Sequence, residues 1–217
     1  MIIVIGNGES RLGVDVQRIN MQKVGCNAIH RDYFVDHLIC VDRRMCQEAV
    51  NSGYQQNSKI YTRPDWTGYF SSKRNIRTVP DLPFAGYERW DLPWHWGAGP
   101  YAVLLATKLS DEIHMLGFDL YSKDQFTNNI YKDTDNYSIA KKRAVDPSYW
   151  IHQIGRIFKH FSNKKFIIHQ QEEWVMPKDW KNNKSRKDAP NESPSEIQKE
   201  MLRVQGLIMC EECWIPY

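Results

Sequence analysis

The chain has 217 residues, 41% of them hydrophobic and 25% charged, with 29 Lys and Arg against 26 Asp and Glu. That length suits one α/β domain plus an appendage, and a net charge of +3 is too small to indicate nucleic acid. No stretch approaches the roughly 20 apolar residues that cross a bilayer, no basic leader precedes the first strand, and the five unframed cysteines (Cys26, Cys40, Cys46, Cys210 and Cys213) point to free thiols in a reducing, cytoplasmic setting.

Ile2-Ile3-Val4-Ile5 is a β-branched run that stops at Gly6-Asn7-Gly8-Glu9-Ser10. Many α/β domains open a phosphate or nucleotide site with such a turn, because glycine lets the backbone approach a ligand and a following helix offers free N–H groups. The pattern is not a dinucleotide fingerprint, since Arg11 stands where the third glycine would be, nor a Walker A loop, since Gly-Lys-Ser/Thr is missing. A tight turn without a ligand is the plainer reading of the same residues.

Residues 9–20 read as a short helical or irregular connection, and 22–28 as a second strand. Residues 38–41 read as a third, apolar throughout as in a buried parallel sheet. Asp42 can cap a helix over Arg43–Asn51, with Gly53 as its stop. Residues 59–61 and 76–79 are weaker strand candidates. Residues 63–96 carry four prolines and Trp66, Trp90, Trp94 and Trp96. A loop of that length is usually functional or a lid, and its rings could equally pack as a shell.

Gly97-Ala98-Gly99-Pro100 opens the next helix, with proline in its first turn and residues 101–109 continuing it. Residues 113–117 form a buried strand, and Phe118-Asp119-Leu120-Tyr121 lies at its carboxyl end, where open α/β sheets bind ligands. Residues 121–142 are a polar loop with tyrosines. Asp146-Pro147 starts a helix that runs to Phe161, and Lys165–His169 supplies the last strand. Residues 176–195 read as a linker, and Ile197, Met201, Val204 and Ile208 suggest a helix over 196–207. The fold class predicted is α/β: a single Rossmann-like domain over 1–175 with a mostly parallel sheet and a long aromatic loop, then a linker and C-terminal helical tail over 176–217.

No metal is expected. Cys210-x-x-Cys213 has ligand spacing, but no second Cys/His pair lies beside it, and His30, His37, Asp32 and Asp36 read as ordinary loop polar groups. Lys141-Lys142-Arg143 is the strongest basic run, able to guide an anion or simply to be solvated surface.

Three separated segments together resemble the sialyltransferase-like enzymes of glycosyltransferase family 42, and the related motility-associated-factor and archaeal pterin pyrophosphokinase-like proteins. They are the Gly-Asn-Gly opening within residues 2–10, Cys26-Asn27 at the end of the second strand, and the block over 97–121. In that block a glycine turn, a helix and a strand end in Gly117-Phe118-Asp119-Leu120-Tyr121. The resemblance covers residues 1–170 and implies a nucleotide at the carboxyl edge of the sheet. It places Gly6, Asn7, Gly8 and Glu9, then Asn27, then Gly97, Ala98 and Gly99 around that nucleotide, with Tyr121 and Tyr131 binding its phosphate. Phenols and backbone N–H groups can stabilise a departing phosphate without a metal.

The chain departs from that pattern at Glu9, which replaces a proline, at Gly97-Ala98, which replace Thr-Ser, and before the 146–161 helix, where the family's catalytic histidine is missing. His152 is the nearest substitute as general base, with His95 and Asp119 as rivals. As a plain helix histidine, His152 would need no catalytic role. The resemblance implies transfer of a sugar from a nucleotide-activated, CMP-linked donor to an acceptor that the sequence does not identify. A pyrophosphokinase-like enzyme using ATP and magnesium through Asp42 and Asp119 is the alternative, and a catalytically inactive nucleotide- or sugar-binding protein is a third. Only the second reading needs magnesium. Relatives that act as oligomers point to a homo-oligomer, with the tail and Trp214 as its contact surface.

Overall fold

Alternation along the first strand decides the architecture. Ile2 and Val4 of β1 (Ile2–Ile5) belong to one buried cluster and Ile3 and Ile5 to another, and all four are at most 1% exposed. A strand apolar on both faces must be covered on both, so the sheet becomes the middle of three layers. The computed structural model describes residues 1–84, 89–122, 124–170, 173–181 and 214–215.

The sheet is built from β1, β2 (Gln22–Cys26), β3 (His37–Ile39), β4 (Lys59–Thr62), β5 (Ile76–Thr78), β6 (Glu112–Leu116), β7 (Lys165–His169) and β8 (Trp214–Ile215), in the order β5-β4-β3-β2-β1-β6-β7-β8. The first seven are parallel, and β8 joins β7 antiparallel. This is the single, mostly parallel α/β sheet expected from the sequence. Its order reverses at β1, which has β2 on one side and β6 on the other, and such a switch point leaves a crevice at the carboxyl ends.

On one face lies α1 (Arg43–Asn51), which buries Met45, Cys46, Ala49 and Val50 and starts at Asp42, whose carboxylate accepts from the Arg44 N–H at 2.8 Å. On the other lies α3 (Ala98–Leu109), with nine of its twelve residues buried because it is packed between the sheet and α4 (Ser148–His160). Among its described residues the aromatic stretch before α3 contains one short helix, α2 (Pro64–Thr67), the strand β5 and three tight turns. Trp96 is buried against Tyr101, and Trp94 is 56% exposed. The loop is thus a packed shell at one ring and open surface at another.

Among the boundaries that differ from the sequence expectation, three bear on the packing. The second strand stops at Cys26 because Asn27 turns to φ 50°, a left-handed conformation that ends a ladder and that asparagine tolerates. The third begins at His37, one residue before the apolar run. Residues 176–181, expected as linker, pack instead. Met176 and Trp180 are buried, Trp180 Nε1 donates to the Ile151 carbonyl at 2.9 Å, and α5 (Lys178–Lys181) forms there. The expected 196–207 helix and the Cys210/Cys213 pair lie outside the described residues. Among the described residues, no helix is long and apolar enough to cross a membrane. Cys26, Cys40 and Cys46 are free and buried, and burial pushes the Cys26 thiol up to about 12 and the Cys46 thiol up to about 11.

Across β6 and β7 runs a buried polar chain. His114 Nδ1 and His169 Nε2 are 2.9 Å apart with the rings stacked, His114 Nε2 meets Glu112 Oε1 at 3.0 Å, and Lys165 Nζ meets Glu112 Oε2 at 3.1 Å. Both histidines are fully buried. Burial first, and then the neighbouring His114, holds His169 down to about 3, while the His114 hydrogen bond and Lys165 hold Glu112 at about 2.

Candidate functional site

A cleft of about 350 Å³ opens at the switch point. It is walled by the turn after β1 (Gly6, Asn7, Gly8), the end of β2 (Cys26, Asn27), the start of α3 (Gly97, Ala98, Gly99) and the segment after β6 (Gly117 to Leu120). Four segments separated in sequence therefore meet in one cavity of ligand size. Two of its walls are held in the left-handed region away from glycine, at Asn27 (φ 50°) and Leu120 (φ 64°). Leucine has no local hydrogen bond to favour that conformation, and strain of this kind gathers at binding sites.

The glycine turn works differently from the sequence expectation. Gly6 N–H donates to the Leu116 carbonyl at 2.8 Å and Gly8 N–H to the Gly117 carbonyl at 3.0 Å, which extends the β1–β6 ladder. Glu9 N–H goes to Asn128 Oδ1 at 2.9 Å and Ser10 N–H to Asp119 Oδ2 at 2.9 Å, and only a three-residue helical turn follows. The N–H groups of Gly6, Gly8, Glu9 and Ser10 are therefore engaged within the protein. The first turn of α3 is the better anion terminus, because it is a twelve-residue helix whose N-cap, Gly97, makes no side-chain capping bond.

Acceptors come from the asparagines. Asn7 Nδ2 donates to the Cys26 carbonyl and to the Tyr137 hydroxyl, both at 3.1 Å, which fixes the amide plane and leaves Asn7 Oδ1 buried without a partner among the described residues. Asn27 Oδ1 is likewise buried and unpartnered, while the Asn27 carbonyl meets His30 Nδ1 at 2.9 Å. A buried acceptor without a donor is costly, and a ligand carrying hydroxyl or amino donors would satisfy both.

Tyr121 is 41% exposed and lies beyond Asp119, in a neighbouring cavity. Tyr131 is 5% exposed, and its hydroxyl accepts from Arg11 Nη2 at 3.1 Å, so it is committed to the interior. The phenol that reaches the cleft's framework is Tyr137, bonded to Asn7 and to the Ala28 N–H at 3.4 Å, its ionisation pushed up to about 12 by burial. Nothing periodic in residues 121–142 distinguishes these tyrosines. Trp150, Asn128 and Asn129 also line the cleft and were not singled out in the sequence.

His152 sits on α4 between Trp150 and Ile154, which line the cleft, but helical geometry turns it away from both. Its Nε2 meets Asp91 Oδ1 at 2.9 Å, and its ring packs against Trp90. Asp119 lines the cleft itself. Its carboxylate accepts from the Ser10 N–H and hydroxyl and, at 3.5 Å, from Gln170. Glu9 is ion-paired with Lys132. The run Lys141-Lys142-Arg143 is exposed. Among the described residues, no group of three His, Cys, Asp or Glu side chains is arranged to hold a metal ion.

The chain matches no family model and no curated protein. Among solved structures it is similar to the sialyltransferase CST-II in complex with trisaccharide acceptor and CMP, with a TM-score of 0.46 and 14% identity over 77% of this chain and 80% of that one. This is a distant, fold-level likeness and assigns the chain to no family.

Proposed function

We propose that the chain is a glycosyltransferase that takes a sugar from a nucleotide-activated, CMP-linked donor. The observation that carries this reading is the convergence of Asn7, Asn27 and the first turn of α3 on one cleft. Two residues on the cleft wall carry buried amide oxygens without a partner among the described residues, and the N-terminus of α3 opens on the same cleft, which supports a ligand that combines an anion with hydrogen-bonding groups. In the transfer, the acceptor oxygen bonds to the anomeric carbon while the bond from that carbon to the phosphate oxygen breaks. The nucleotide leaves with the electron pair, and the acceptor's proton passes to a base. Asp119 is the carboxylate on the cleft wall and takes that role in this reading. His152, paired with Asp91, orients the aromatic loop.

Thermal shift separates this reading from its rivals. CMP or CDP at about a hundred times Kd should raise the melting temperature by roughly 5 °C without magnesium, and Asn27→Ala should remove most of that shift. Stabilisation by ATP with magnesium, and none by cytidine nucleotides, would place the chain among phosphotransferases instead. No response to any nucleotide would overturn both.

A further inference from the structure

At the opposite edge of the sheet from the cleft lies a cavity of about 390 Å³, lined by Gln55, Gln56, Ser72, Lys73 and Arg74. Gln55 and Gln56 come just before β4, and residues 72–74 just before β5, so the cavity sits at the amino ends of these parallel strands. All five lining residues are polar, two are cationic and none is acidic. Lys73 and Arg74 are exposed, and neither side chain has a hydrogen-bond or ion-pair partner among the described residues. The segment is held by other groups. Lys73 N–H donates to the Phe70 carbonyl at 2.8 Å, and Asn75, at φ 59°, donates through Nδ2 to the Gln55 carbonyl at 2.9 Å, which ties the two walls together. The N–H groups of Ser72 and Arg74 have no acceptor among the described residues, and turns with free N–H groups of this kind form anion-binding concavities. Gln55 Oε1 is buried, also without a partner among the described residues.

We propose that this cavity binds a hydroxylated phosphate ester, at a site separate from the cleft. A phosphate group brings close to two negative charges and three acceptor oxygens. The guanidinium fork of Arg74, the ammonium of Lys73, the Ser72 hydroxyl and the free N–H groups are donors suited to it. Gln55 Oε1 asks for the opposite, a donor, and a hydroxyl set a carbon or two from the phosphate supplies one. A divalent cation is the wrong occupant, because no carboxylate lines the space and two cations do. The same chemistry is carried by a soluble phosphate ester and by the headgroup of an anionic phospholipid. The site lies at the amino edge, away from the reacting groups, and does not depend on the transferase reading.

The test is amide NMR on the full chain, titrated with glycerol phosphate, inorganic phosphate and glycerol, alongside sedimentation with phosphatidylcholine vesicles with and without phosphatidylglycerol. Glycerol phosphate should shift the side-chain amides of Gln55 and Gln56 and the backbone amides of Ser72 to Arg74, and glycerol should shift none of them. The ester should bind about tenfold tighter than inorganic phosphate, and Gln55→Met should erase that advantage. A double variant, Lys73→Ala with Arg74→Ala, should weaken the ester by about tenfold or more. Because both side chains are exposed, its melting temperature and any response to CMP should stay as in the wild type. Sedimentation that needs phosphatidylglycerol and is lost in the double variant supports a lipid source. Ester binding without sedimentation supports a soluble one. No shift at these residues together with no variant-sensitive sedimentation would overturn the proposal. So would full affinity in the double variant, or inorganic phosphate binding as tightly as the ester.

Discussion

Gly6→Ala is expected to lower unfolding stability by on the order of 3 kcal/mol. A Cβ on Gly6 would strike the carbonyl of Gly117, and one on Gly117 would come within 2.8 Å of the Gly6 carbonyl. These are backbone-to-backbone approaches, so no side chain can swing aside to relieve them. The Gly6 N–H to Leu116 and Gly8 N–H to Gly117 bonds hold β1 and β6 at that distance. Gly117 carries a second penalty, since its φ of 73° is strained for any other L residue. Urea unfolding should show a lower midpoint with an unchanged slope for Gly6→Ala, and a larger loss for Gly117→Ala. Gly68→Ala, where a Cβ meets nothing within 4 Å, is the control and should be close to neutral. A Gly6→Ala protein with the wild-type midpoint would show that the two strand ends can separate freely.

The second large effect is acid lability. His169 is held neutral down to about 3 in the folded protein, against about 6.5 when unfolded. Between those values the unfolded chain binds the extra proton and the folded chain does not, so stability falls as the pH drops through that window. From pH 7 to pH 4 the loss through this one side chain is on the order of 3 kcal/mol. Glu112 adds to it at lower pH. Its folded value of about 2 lies under its unfolded value of 4.5, so the stability it contributes is lost as the pH falls through that range. Urea midpoints at pH 7, 5.5 and 4 should decline steeply in the wild type and more gently in His169→Gln. Parallel declines in the two proteins would assign the lability to other groups.

Much of this fold is legible because the buried strands announce themselves. Ile2 to Ile5 and Phe166 to Ile168 are apolar on both faces, and Ile113 to Leu116 is apolar but for His114, which a covered parallel sheet explains. The capping of α1 by Asp42 is readable for the same local reason. What the residues alone do not show is pairing at a distance. His114 and His169 look like unrelated polar interruptions until β6 and β7 lie side by side. Asp91 cannot be matched to His152 from spacing, because 61 residues of aromatic loop, helix and strand separate them. Tyr137 rather than Tyr131 meets Asn7 because Arg11, also buried, captures the Tyr131 hydroxyl. That choice is made by packing.

Asn7 has one further consequence, for the order in which the protein assembles. Its amide group bonds to Cys26, 19 residues away, and to Tyr137, 130 residues away. Closing the longer loop costs about 1.7 kcal/mol more chain entropy than closing the shorter one. Loop entropy alone therefore favours forming the β1–β2 side of the cleft before its Tyr137 side. On the proposed reading, a ligand that engages Asn7 would hold this distant closure in place, so occupancy of the cleft and closure of its Tyr137 side would be coupled.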